Sequence, residues 1–153
     1  MDSFYKQLKA YGKVRTQESL AKHITYKIGG PAKYFITIKD ISHLPDVLRL
    51  IDGEGINRII LGGGSNILFP DEGYDGVVIK IVDKHFTISG TEVEAVASAQ
   101  MKEISQGTVS ASLAGFVWAI GVPGTIAGAL RGNAAYNGIA MEDAVSKVEV
   151  YRD

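Results

Sequence analysis

Two glycine-rich segments carry the residue types from which chemistry can be argued. The first is Gly62-Gly63-Gly64-Ser65-Asn66, directly after the apolar run Arg58–Leu61. Consecutive glycines let successive backbone N–H groups converge on an anion, and Ser65 and Asn66 add side-chain hydrogen-bonding groups. It is not a Rossmann fingerprint, because the spacing differs from G-x-G-x-x-G and Ile67-Leu68-Phe69 does not open a helix. No Gly-Lys-Ser/Thr follows, which excludes a Walker A loop. A plain tight turn accounts for the same residues.

The second segment runs from Gly121 to Asn133 as Gly-Val-Pro-Gly-Thr-Ile-Ala-Gly-Ala-Leu-Arg-Gly-Asn. Gly124, Gly128 and Gly132 recur every fourth residue. A helix from Thr125 onward would align them near one face without side chains, open to a backbone or a flat ligand, with Pro123 fixing the entry. Its free N–H groups would point at an anion. Close helix–sheet packing explains the same glycines. Two anion-binding turns in one domain suit a pyrophosphate held from both sides, which points to a dinucleotide.

Composition narrows the remaining classes. The chain has 153 residues, 46% hydrophobic and 22% charged, as in an ordinary globular domain. A net charge of −1 offers nothing to a polyanion, so nucleic acid is not an expected partner. No cysteine is present, so disulfides, thiolate nucleophiles and thiolate metal sites are excluded. Glycine is in excess, at 18 residues against a usual share of about 7%. His23, His43 and His85 stand apart, without a second ligand at metal spacing, and are assigned structural or surface roles; no metal site is expected. Asp71, Glu72 and Asp75 read as a solvated turn. Residues 1–20 are charged and lack an apolar core, so they do not form a secretory signal and the expected compartment is the cytoplasm. The stretch 113–130 is long and apolar enough to be tested as a membrane span, but Pro123 and its neighbouring glycines argue against one.

The elements that position these segments follow from periodicity. Phe4, Leu8 and Tyr11 predict a short N-terminal helix. Residues 32–39 alternate as a strand, Ser42 caps a helix carrying Leu44, Val47, Leu48 and Ile51, and 58–61 form a buried strand, giving a β-α-β unit that feeds the triple glycine. Residues 76–82 form another strand, and 86–88 with 93–97 form a hairpin. The pattern over 101–113 is only weakly helical. Val145, Val148 and Val150 predict a closing strand over 144–151. Phe116 and Trp118 are expected in the core.

Thr25-Tyr26-Lys27-Ile28-Gly29-Gly30, then 61–68, then Gly115-Phe116-Val117-Trp118 onward to Ala129, resemble in order the three motifs of the UDP-N-acetylenolpyruvoylglucosamine reductase (MurB) family, across about 25–153. The resemblance implies an α/β (α+β) FAD-binding fold of the vanillyl-alcohol oxidase and MurB type, with two small α/β subdomains and the flavin between them. It divides the chain into an N-terminal helix and lead-in (1–24), a first FAD-binding subdomain (25–84) and an incomplete second one (85–153), without the substrate-binding domain. It also implies a helix over 101–113.

Carried over residue by residue, the resemblance implies that the loop of Gly62, Gly63, Gly64, Ser65 and Asn66 holds the pyrophosphate through backbone N–H groups, with Asn66 and Ile67 beside it. Val122, Pro123, Gly124, Thr125, Gly128 and Ala129 face it, and Asn133 and Ala134 lie near the flavin ring or ribityl chain. Ala127 stands where the family usually has glycine, Val117 where it often has glutamate, and Ala135-Tyr136-Asn137-Gly138 departs from the family segment. FAD is the implied cofactor and NADPH the implied reductant, with a UDP-sugar partner only where the missing domain is supplied. No catalytic residue is assigned, Tyr151-Arg152 included. A non-catalytic flavin- or nucleotide-binding module, or a degenerate truncated paralogue, stays open beside the reductase.

Overall fold

Alternation decides the first half of the chain. Along residues 34–38, Tyr34, Ile36 and Ile38 point to one side and Phe35 to the other, so a strand built from them must be covered on both faces. In the computed structural model, which describes residues 3–152, it is. Met1 and Asp2 of the expected lead-in and Asp153 of the expected second subdomain lie outside the described residues.

The chain divides into two compact units, 1–83 and 84–153. In the first, α1 (Ser3–Leu8) leads to β1 (Lys13–Ser19) and β2 (Pro31–Ile38), then α2 (Leu44–Gly53), β3 (Arg58–Leu61) and β4 (Tyr74–Ile81). The sheet order is β1-β2-β4-β3, with β2, β3 and β4 parallel and β1 antiparallel to β2. The β-α-β unit read from sequence exists, with β4 inserted between its two strands. One face buries Ile36, Ile38, Val77 and Ile79 under Phe4 and Leu8 of α1 and Val47, Leu48 and Ile51 of α2. Side chains of this size contribute about 1.5–3 kcal/mol each when fully buried. The other face buries Phe35, Leu61 and Val78 under Leu20, Ile24 and Phe69, which belong to connecting segments. The glycine loop is therefore part of the layer that covers this second face.

Four points differ from the sequence reading. Strand β3 is not buried: it lies at the sheet edge, with Leu61 buried, Ile59 partly buried and Ile60 exposed. Ser42 is not the cap of α2: Asp40 accepts from the Ser42 N–H at 2.9 Å and starts a 3-10 turn, Ile41–His43, that runs into the helix. Strand β1 was not expected, since only Val14 of its seven residues is buried. The closing strand over 144–151 does not form; residues 145–152 carry no ladder, because among the described residues no strand lies beside them to receive one.

The second unit opens with the hairpin β5 (Phe86–Ser89) and β6 (Glu92–Ala95), followed by α3 (Met101–Ser110), a 3-10 turn Val117–Gly121, α4 (Ile126–Arg131), a two-residue hairpin of β7 (Ala135–Tyr136) and β8 (Ile139–Ala140), and α5 (Met141–Ala144). Its core gathers Met101, Trp118, Ala119, Ala129 and Met141, with Phe116 against Trp118 at a ring distance of 5.5 Å. Asn137 and Gly138 both have positive φ, 52° and 80°, as a tight β7–β8 turn requires. No helix among the described residues is long and apolar enough to cross a membrane.

Candidate functional site

The 62–66 loop leaves the carboxyl end of β3, at the edge where the parallel strands β2 and β4 also end. Open parallel sheets bind ligands at that edge. Among the described residues, the N–H groups of Gly62, Gly63, Gly64, Ser65 and Asn66 donate to no carbonyl or side chain of the chain. Five successive backbone donors are thus left for solvent or a ligand.

Gly64 shows how the loop is seated. Its φ is +73°, and a Cβ there would run into the His23 carbonyl oxygen and reach 2.9 Å from the Ile24 Cα. Its carbonyl accepts from the Thr25 N–H at 2.9 Å. The missing side chain accommodates the protein's own backbone, while the N–H groups stay free. Sequence left tight turn and anion loop as alternatives; the structure shows a tight turn, seated on the 23–25 backbone, whose N–H groups are unused.

The turn beneath is held by His23, whose Nε2 lies 2.9 Å from Glu18 Oε1 and whose ring stacks on Phe35 with centroids 4.2 Å apart. The hydrogen bond from His23 keeps the Glu18 carboxyl below its ordinary value, against the opposing effect of burial. Gly30 and Gly73 close the same layer: both N–H groups donate to the Pro70 carbonyl, at 2.9 and 3.0 Å. Beside the loop is a shallow hollow of about 200 Å³ lined by Tyr26, Asn66, Ile67 and Leu68. Tyr26, Ile28 and Leu68 are all more than half exposed, which gives the loop an apolar flank. Sequence analysis singled out Asn66 and Ile67 but not this flank, because Tyr26 and Ile28 come to the loop only through the fold and their exposure is not a property of the sequence.

The second glycine segment differs from its expectation. Helix α4 has six residues, so Gly124 and Gly132 fall outside it, and the expected free donors at its start are occupied. Ile126 N–H donates to Ala99 O at 2.9 Å, Ala127 N–H to Ala97 O at 3.0 Å, and Gly128 N–H to the Thr125 hydroxyl at 3.3 Å. The reason is that 124–127 runs alongside 97–101 as a short antiparallel pairing, centred on Gln100 and Thr125. The free N–H groups are those of Gly124, at φ +113°, and Thr125. Helix–sheet packing does not explain the glycines either: a Cβ on Gly121 meets nothing within 4 Å, and on Gly128 only the Thr125 hydroxyl, at 3.1 Å.

Val122, Thr125, Ala129 and Ala134 are partly or fully buried in their unit, while Pro123 and Gly128 are exposed. Asn133 is exposed at φ +42°, and its Oδ1 accepts from the Glu142 N–H at 3.1 Å, so this side chain already serves as a cap on α5. The structure thus presents Gly62 to Ile67 as one continuous loop in the first unit, and Val122 to Ala134 as a separate turn-helix-turn in the second.

Residues 32–152 match the family described as FAD binding domain. The chain is 36% identical over 139 residues to the UDP-N-acetylenolpyruvoylglucosamine reductase of Clostridioides difficile, covering 90% of this chain and 46% of that protein. It is 38% identical over 133 residues to the protein of the same name from Caldicellulosiruptor bescii, covering 86% of this chain and 42% of that one. The crystal structure of UDP-N-acetylenolpyruvylglucosamine reductase (MurB) from Thermus caldophilus superposes with a TM-score of 0.70 at 26% identity, covering 87% of this chain and 47% of that chain. The chain spans about half the length of the curated relatives it matches. The chain belongs to the FAD binding domain family, and what it resembles is the N-terminal, FAD-binding part of the UDP-N-acetylenolpyruvoylglucosamine reductases.

Proposed function

We propose that the 62–66 loop holds the diphosphate of FAD and that the chain is the flavin-binding part of an NADPH-dependent UDP-N-acetylenolpyruvoylglucosamine reductase, acting in the cytoplasm on a peptidoglycan precursor. The observation that carries this reading is the run of unused N–H groups from Gly62 to Asn66 at the carboxyl edge of three parallel strands. FAD has a dianionic diphosphate between flat rings, and the donor set fits it: backbone amides for the anion, with Tyr26, Ile28 and Leu68 as apolar surface beside them.

When bound, FAD supplies hydride transfer, which no side chain of the chain can perform. The protein's own contribution is to bind and orient. In this reading Gly62, Gly63, Gly64, Ser65, Asn66 and Ile67 fix the diphosphate, and Gly124 and Thr125 offer the two free amides of a second surface that includes Val122, Pro123, Gly128, Ala129, Asn133 and Ala134. Proton delivery to the reduced substrate, and recognition of a UDP-sugar, are assigned to no residue of this chain.

Titration with FAD tests the reading. The expected result is a shift in flavin absorbance or fluorescence together with thermal stabilisation, about 2.7 kcal/mol at a hundredfold excess over Kd. An unchanged flavin spectrum and an unchanged melting temperature at saturating FAD would overturn it.

A further inference from the structure

Lys80 and Lys27 are held beside the glycine loop with no carboxylate to neutralise them. Lys80 pairs in register with Leu61 on one side and Thr37 on the other, and Leu61 runs directly into Gly62. Strand alternation places Lys80 on the face of Phe35, Leu61 and Val78, the face covered by the loop layer. Lys27 lies in the turn under the loop. Its N–H donates to Ile24 O at 3.3 Å, the Thr25 N–H donates to Gly64 O, and Tyr26 shares a hollow with Asn66. Its φ of +58° is one that a lysine adopts only when its surroundings impose it.

Other lysines of the chain show what is missing here. Lys33 is paired with Asp75 at 2.9 Å and Lys84 with Glu103 at 2.8 Å. Among the described residues, neither Lys27 nor Lys80 has an ion-pair partner. Partial burial, and after it the charge of Lys27, push the Lys80 ammonium below the ordinary lysine value. A half-buried cation next to another cation costs folding free energy. The only charged residue in the apolar run 76–82 is thus placed where the fold gains nothing from its charge.

We propose that Lys80 and Lys27 form a cation pair that supplies the counter-charge for the diphosphate bound by the 62–66 loop. The inference rests on the reading of that loop as the diphosphate site. Backbone amides provide direction and partial charges, and the two ammonium groups provide the net positive charge that the chain as a whole, at −1, lacks.

The test compares FAD affinity, by calorimetry on the full chain, for the parent, Lys80→Met, Lys27→Asn and the control Lys33→Met. Methionine preserves an unbranched apolar stem, and asparagine tolerates the left-handed φ. Each of the first two substitutions is expected to weaken FAD binding about tenfold, as for loss of a charge-assisted contact. The control is expected to bind like the parent, and Lys80→Met without FAD to melt no lower than the parent. Parent-like affinity in folded Lys80→Met and Lys27→Asn would overturn the cation pair and leave the loop assignment standing. Absence of FAD binding by the parent would overturn both. Should Lys80→Met fail to fold, Lys80→Gln and Lys27→Asn give the same comparison.

Discussion

A single imidazole supports the turn on which the glycine loop rests. His23 is fixed by Glu18 through its ring nitrogen and by Phe35 through its ring face, and its carbonyl lies against Gly64. The spacing of the three histidines suggested structural roles, and His23 has one. The pair also gives the fold a pH dependence whose sign is set by Glu18. Its carboxyl is held below the ordinary value of 4.5 by the His23 hydrogen bond, so it binds a proton more readily unfolded than folded. Stability from this contact is fully present above the unfolded value and is lost as pH falls through the lower, folded one. Thermal melts between pH 3 and 7 are expected to show this loss, and Glu18→Gln is expected to lower the melting temperature at pH 7 while reducing its fall in acid. An acid slope identical in the variant would mean that other carboxylates carry it.

At the scale of elements, the loop and the turn beneath it behave as one piece, which alters the expected effect of crowding Gly64. If only ligand occupied the space, Gly64→Val would abolish binding in an otherwise intact fold. That space is filled by the His23 carbonyl and the Ile24 Cα, at a φ unfavourable to any side chain, so valine must displace the 23–25 turn. The substitution is expected to weaken FAD binding and to cost about 1–3 kcal/mol of stability, measurable by denaturant unfolding. A variant with parent stability would show that the turn gives way freely.

The same scale explains what sequence could reveal. The strands β2 and β4 were legible because their apolar residues are dense enough to be buried on both faces, β3 because Ile59, Ile60 and Leu61 form a short apolar run although only Leu61 is buried, and α2 because its apolar residues return every three or four positions. Strand β1 was hidden by a polar surface, with Val14 its only buried residue. Residues 144–151 show the reverse error, since alternation states a capacity for pairing and pairing requires a neighbour. The β7–β8 hairpin carries its turn signal in Asn137-Gly138, a pair suited to the positive φ that both residues adopt. The glycine loop was legible as a loop, but not its free amides, because hydrogen bonding is a property of what surrounds a segment. Lys80 was invisible for the same reason.

For the whole molecule, binding and chemistry separate. Reducing an enolpyruvyl double bond needs a hydride at one carbon and a proton at its neighbour, with the charge between them stabilised. The chain offers an edge proposed to hold the cofactor and no assigned proton donor. The 153-residue chain loaded with FAD is therefore expected to oxidise NADPH slowly, with oxygen as acceptor, and to form no UDP-N-acetylmuramate even at high protein concentration. Product formed by the pure chain, and lost in Asn66→Ala, would locate catalytic groups within these residues.

The order of the first sheet has a consequence for how the molecule is made. Strand β4 is the last of the four to be synthesised and stands between β2 and β3, which do not touch each other in the ladder. While a ribosome has delivered only 70 residues, the β-α-β unit has both outer strands and nothing to join them, and a vacant slot lined by two unpaired edges. The sheet closes only when residues 74–81 enter that slot from the end of the unit. Long-range pairing of this kind slows folding relative to a helical or hairpin-first domain. The edge that anchors the glycine loop is assembled in the same event, so the 62–66 loop gains its seat on a completed sheet only at that final step.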